Sequence, residues 1–202
     1  MNLIEHATVV HYHRQRIARF GLREVRTLGW QSDDSQRRRF ERIAAAADFT
    51  DASVLDLGCG TGDLKPFLDE RFADVRYLGV DVVPDFVDEA NRRFAGDARA
   101  RAALGHFQRM ALPTADHVVA CGSLSYRCAD PRFAFRAVAR MLSHATRSVV
   151  LCVLDKQHFP EHPLLVGQDI DELVAFCEKL SADVQCLRGT QPEDVTLVLR
   201  AA

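Results

Sequence analysis

Between residues 56 and 63 the chain reads Asp56-Leu-Gly58-Cys-Gly60-Thr-Gly62-Asp63, with glycine at every second position from Gly58 to Gly62. Glycines there let the backbone turn tightly and let a ligand approach with no Cβ in the way. A dinucleotide fingerprint places its third glycine three residues after the second, seating a pyrophosphate at a helix N-terminus. Here the third glycine follows after two, Asp56 precedes the first, and Asp63 stands where a phosphate would lie. The loop suits a cationic ligand without phosphates. Further on, Leu78-Gly-Val-Asp81 ends a second apolar run in a carboxylate. An ionised carboxylate only accepts hydrogen bonds, and it can take two O–H donors at once.

Short β-branched runs alternating with amphipathic segments must hold these groups. Apolar patterning predicts strands at 54–57, 76–80, 106–109, 117–120, 148–153, 184–188 and 195–199. Helices are expected near 63–71, 84–95, 131–143 and 169–180. That alternation favours an α/β fold with a mostly parallel, seven-stranded sheet. Gly189-Thr-Gln-Pro192-Glu is too short for a crossover helix, so the last two strands should form an antiparallel hairpin. Residues 1–50 differ in texture: they are Arg-rich, with Ile17, Phe20, Phe40 and Ile43 at helical spacing, and Ser32, Asp33 or Ser35 as candidate caps. We read 1–50 as a helical extension closing over the site, 51–202 as the binding domain, and 21–35 as a linker.

Asp56-Leu-Gly58-Cys-Gly60-Thr-Gly62 resembles the first motif of the class I S-adenosylmethionine-dependent methyltransferases, and Leu78-Gly-Val-Asp81 resembles the second landmark of that family. The segment Asp116 to Arg127 resembles the family's fourth strand and its tail, and Pro192 to Leu199 its closing hairpin strand. The resemblance implies a Rossmann-like, doubly wound sheet and S-adenosylmethionine as cofactor. It implies cofactor contacts at Asp56, Gly58, Cys59, Gly60, Gly62, Asp81, Val82 and Gly122, with both ribose hydroxyls on Asp81. Asp56 would contact the cofactor's amino group or brace the amides of its own loop. The family often has an acid after the third strand for the adenine amino group; this reading puts Met110 and Ala111 there. Adenine would then pack on Met110 and Leu112 and bond a backbone N–H.

Arg39 could pair with the methionine carboxylate, since a guanidinium binds a carboxylate bidentately. Tyr12 and Trp30 are candidate lids. No catalytic residue is fixed; His11 and His13 are candidate general bases because imidazole titrates near neutrality. Tyr126 and Arg127 would sit at the mouth of the site, where Arg127 would suit an anionic substrate.

The formal net charge of −2, from 26 basic and 28 acidic side chains, argues against a nucleic-acid coat. The longest apolar run, 149–154, is far short of the ~20 residues that span a bilayer. Six cysteines form no C-x-x-C pair, so neither a disulfide framework nor a zinc site is expected. No metal, membrane or nucleic-acid partner is expected, and a cytoplasmic enzyme methylating a small molecule is. A non-catalytic cofactor-binding subunit and, further off, a nucleic-acid methyltransferase are the alternatives.

Overall fold

The computed structural model describes residues 1–201. Its centre is β1 (Ser53–Leu57), whose Val54 to Leu57 are all buried. Burial on both faces fits a near-continuous apolar strand of a covered parallel sheet. Around it lie β2 (Arg76–Asp81), β3 (Ala100–Leu104), β4 (Ala115–Cys121), β5 (Ala145–Leu154), β6 (Val184–Arg188) and β7 (Asp194–Arg200). The sheet order is β3-β2-β1-β4-β5-β7-β6. The pairs β1–β2, β1–β4, β2–β3 and β4–β5 are parallel; β7 runs antiparallel to both β5 and β6. The expected α/β class and C-terminal hairpin are therefore present.

Strand order reverses between β1 and β4, which opens a crevice at their carboxyl ends. Two apolar cores sandwich the sheet. Leu55, Leu57, Val118 and Leu151 face α5 (Phe133–His144) and α6 (Ile170–Cys177). Val54, Tyr77, Val119 and Val150 face the opposite way, toward α2 (Asp33–Ala46) and α3 (Leu64–Asp69). The period-2 alternation of a strand separates these two sets. α4 (Pro84–Arg93) starts with proline in its first turn, where a missing N–H costs nothing.

The N-terminal region holds two α-helices. α1 (Leu3–Phe20) opens with a reciprocal cap between Asn2 and Glu5, and α2 with one between Ser32 and Ser35. The stretch 21–35 is not a loose linker, however. It holds a 3-10 turn at Val25–Leu28, with Thr27 fully buried and its hydroxyl bonded to the Gly21 carbonyl at 2.6 Å.

The third strand lies at Ala100–Leu104 and not, as expected, at 106–109. Ala-Arg-Ala-Ala has weak β propensity, and this edge strand buries no residue fully, so its alternation is faint in the sequence. Residues 106–109 form a turn in which the Arg109 N–H donates to the His106 carbonyl.

Candidate active site

The loop after β1 is held from three sides. The Gly58 N–H donates to the Val80 carbonyl at 2.7 Å, and the Ser123 hydroxyl donates to the Leu57 carbonyl at 2.5 Å. The carboxylate of Asp81 accepts the Gly60 N–H at 2.8 Å and the Val83 N–H at 2.9 Å. Gly58 has φ +87°, and a Cβ there would overlap Ser123. At Gly60, φ +55°, a Cβ would stand 2.7 Å from Leu28 Cδ2. Glycine is thus required both by conformation and by the close approach of neighbouring chain.

Asp56, buried on β1, accepts the Tyr77 hydroxyl on Oδ2 at 2.6 Å, while its Oδ1 has no hydrogen-bond partner. Burial pushes its pKa up to about 7; the Tyr77 hydroxyl opposes this, and the charges of Asp81 and Asp63 add to it. Burial also raises the pKa of Asp81, against the pull of its backbone donors. Asp63 is differently placed. Gln36, Thr61 and Arg93 all bond its carboxylate.

Residues of the N-terminal segment reach the crevice. Leu28 meets the glycine loop, and the Trp30 ring lies 3.6 Å from where a Cβ of Gly122 would be. The Arg39 guanidinium stacks on Trp30 at 4.7 Å and forms an ion pair with Asp194 through Nε and Nη2. From α1, His13 reaches the Tyr126 hydroxyl at 2.5 Å and the Thr27 carbonyl at 2.9 Å.

One pocket gathers most of the residues singled out in the sequence: Tyr12, His13, Arg39, Asp56, Gly58, Cys59, Gly60, Asp81, Val82, Gly122 and Tyr126. It encloses about 1260 Å3 of space free of atoms, part of it open to solvent. Six others do not line it, Leu112 among them. Gly62 is covered by the Phe94 ring. His11 is exposed and bonded to Gln15. Arg127 is exposed and donates to the His162 carbonyl. Met110 packs behind Gly105, and the exposed Ala111 follows it, because β3 ends at Leu104 rather than beside them.

Sequence reasoning passed over Gly105, His106 and Phe107, which line the pocket directly after β3. His106 and Phe107 fall in the strand expected at 106–109, and Gly105 just before it. Ser123 and Asp194 were also missed. A lone serine after a strand and an acid opening the last strand carry no local signal for their contacts with Leu57 and Arg39.

Residues 55–147 match the model of a family described as a methyltransferase domain. A putative methyltransferase of Mycobacterium tuberculosis is 48% identical over 59 residues, 29% of this chain and 34% of that protein. The magnesium-protoporphyrin O-methyltransferase of Rhodobacter capsulatus is 38% identical over 81 residues, 39% of this chain and 35% of that one. The chain is thus aligned with about a third of the length of each of these relatives. Among solved structures, the magnesium protoporphyrin IX methyltransferase of Synechocystis PCC 6803 with bound S-adenosylmethionine superposes with TM-score 0.67 at 16% identity, covering 100% of this chain and 99% of that one. The N-methyltransferase NodS of Bradyrhizobium japonicum WM9 with S-adenosylhomocysteine gives 0.69 at 16% identity, covering 94% and 98%. Strand order, the loop that leaves β1 and the matched segment agree: residues 55–147 form a methyltransferase domain, set in a sheet of the class I S-adenosylmethionine-dependent methyltransferase type.

Proposed function

We propose that this chain binds S-adenosylmethionine over the loop after β1 and directs its methyl group to a small-molecule acceptor. The observation that carries this reading is the Oδ1 atom of Asp56, buried in the pocket wall without a partner. An orphaned buried carboxylate oxygen costs free energy unless a donor arrives, and a cationic amino group is such a donor. Asp81 spends one acceptor site of each oxygen on a backbone N–H, leaving lone pairs for two ribose hydroxyls. The residues therefore fit the group.

When bound, S-adenosylmethionine supplies a methyl carbon on a positively charged sulfur. The protein contributes position and a dry site; orientation alone can lower a barrier by ~7–11 kcal/mol. Arg39, steadied by Asp194 and Trp30, would meet the methionine carboxylate. With β3 ending at Leu104, Val82 and His106 line the pocket and would hold the adenine end in place of Met110 and Ala111. Residues 1–50 act as the lid, and 51–202 as the binding domain.

A small acceptor is supported by the closeness of that lid to the site. Relatives named for magnesium protoporphyrin and trans-aconitate methylation point the same way. All six cysteines are unpaired, which suits a reducing, cytoplasmic setting. Among the described residues no helix is long and apolar enough to cross a membrane. Transfer of label from methyl-tritiated S-adenosylmethionine to a metabolite extract tests the activity. Tight cofactor binding with no transfer to any metabolite would favour a non-catalytic subunit.

A further inference from the structure

Two pocket residues from opposite parts of the chain form a hydrogen-bonded chain whose direction can be worked out. His13 Nδ1 lies 2.9 Å from the Thr27 carbonyl, which can only accept, so Nδ1 carries the hydrogen. Burial holds the His13 pKa down to about 4, so the ring is neutral and Nε2 offers a lone pair. That lone pair faces the Tyr126 hydroxyl at 2.5 Å, so the phenol donates to it. Tyr126 Oη keeps its own lone pairs, and the largely buried side chain lines the pocket.

Both partners are held rigidly. Thr27 is fixed by its hydroxyl bond to Gly21, and its N–H donates to the Glu24 carbonyl. Tyr126 pairs with Leu165 in an isolated bridge, beside the Val166 N–H bonded to the Ser125 carbonyl. The Tyr12 and Phe86 rings each lie 5.0 Å from the His13 imidazole. Val9, Phe107 and Leu165 complete an apolar wall.

We propose that Tyr126 is a catalytic residue that takes the proton of a neutral hydroxyl acceptor, passing its own to His13, and that the acceptor is an apolar phenol or alcohol. The proposal rests on the methyltransferase reading above. In the step, an acceptor oxygen lone pair forms a bond to the methyl carbon, and the carbon–sulfur bond breaks with its electron pair returning to sulfur. The acceptor's proton moves to Tyr126 Oη while the Tyr126 proton moves to His13 Nε2. The positive charge lost at sulfur appears on the imidazolium, whose Nδ1–H already points at the Thr27 carbonyl. It then leaves as a proton to solvent. Burial, then the Asp81 charge, raises the Tyr126 pKa, so a resting phenolate is disfavoured and the relay partner is needed.

The test uses the full chain, methyl-tritiated S-adenosylmethionine, and three probes: phenol, 4-nitrophenol and thiophenol, at a pH where only phenol keeps its proton. Wild type should methylate phenol. Tyr126→Phe and His13→Gln should each lower kcat on phenol ~100-fold. KM and S-adenosylhomocysteine affinity should stay within ~3-fold, and the loss on 4-nitrophenol below ~5-fold. Tyr126→Phe keeps the ring packing should His13→Gln fold poorly. Equal losses on the two phenols, an unchanged phenol rate in Tyr126→Phe, or methylation of thiophenol alone would overturn the proposal. So would binding of S-adenosylhomocysteine with no probe methylated. Failure of the wild-type chain to bind S-adenosylhomocysteine would instead overturn the underlying methyltransferase reading.

Discussion

Asp81 Oδ2 accepts the Gly60 N–H at 2.8 Å, so the carboxylate that ends β2 clasps the loop that follows β1. The residue proposed to hold the ribose is therefore also a clasp for the loop on which the cofactor would rest. Its removal should be felt twice. Asp81→Ala leaves the Gly60 and Val83 N–H groups without their partner, at a cost of roughly 2 kcal/mol in urea unfolding, and it should weaken S-adenosylhomocysteine at least ~100-fold. Asp81→Asn, which still accepts through its carbonyl oxygen, should cost less stability. Full affinity in Asp81→Ala would show that the ribose lies elsewhere.

Asp56 should make binding depend on pH. With its pKa held up to about 7, it is mostly protonated at mildly acidic pH and ionised at mildly alkaline pH. A cationic amino group prefers the ionised form, so S-adenosylhomocysteine should bind about 10-fold more weakly near pH 6 than near pH 8. In the unliganded protein the sign is opposite: the raised pKa favours folding below the ordinary carboxylate range, and that contribution is lost as pH rises through about 7. Asp56→Asn should bind weakly with a flat profile. Titration calorimetry across that range checks both.

Part of this was legible in the sequence. Val54 to Leu57 reads as a buried strand, and the glycine spacing after it, with Asp81, points to the ligand class. The third strand did not read, because Ala100 to Leu104 has little β preference and lies at a solvent-facing edge. That one displacement moved the expected adenine contact to Met110, behind the pocket wall. The Asp194–Arg39 pair joins residues 155 positions apart, and no local pattern encodes it. Tyr126 and His13 were each visible as chemistry-bearing residues, but only the fold brings them into contact.

Asp194 neutralises two buried guanidinium groups at once. Arg39 is 15% exposed, Arg42 16% and Asp194 6%. Asp194→Ala leaves both cations uncompensated and should destabilise the fold by about 3–5 kcal/mol. Asp194→Asn should cost less, because it still accepts a hydrogen bond from Arg39. Urea unfolding with unchanged slope measures both; a loss below about 1 kcal/mol in Asp194→Ala would mean the pair is idle.

His13 gives the fold an acid sensitivity. Its folded pKa of about 4 lies below the ordinary value of 6.5, so its contribution is present above the latter and lost as pH falls through the former. A shift of that size is worth roughly 3 kcal/mol. His13→Gln should therefore flatten the decline in stability over that range relative to wild type. Parallel decline in the two proteins would assign the sensitivity to other buried histidines such as His117.

The central claim is that a sulfonium nucleoside lies on the glycine turn between Asp56 and Asp81. Titration of the full chain with S-adenosylhomocysteine, beside NAD as a phosphate-bearing control, tests it most directly. Saturable one-to-one binding in the range of ~1–100 µM, with no heat from NAD, is the predicted result. No heat from S-adenosylhomocysteine at several hundred µM, or equal affinity for NAD, would contradict it.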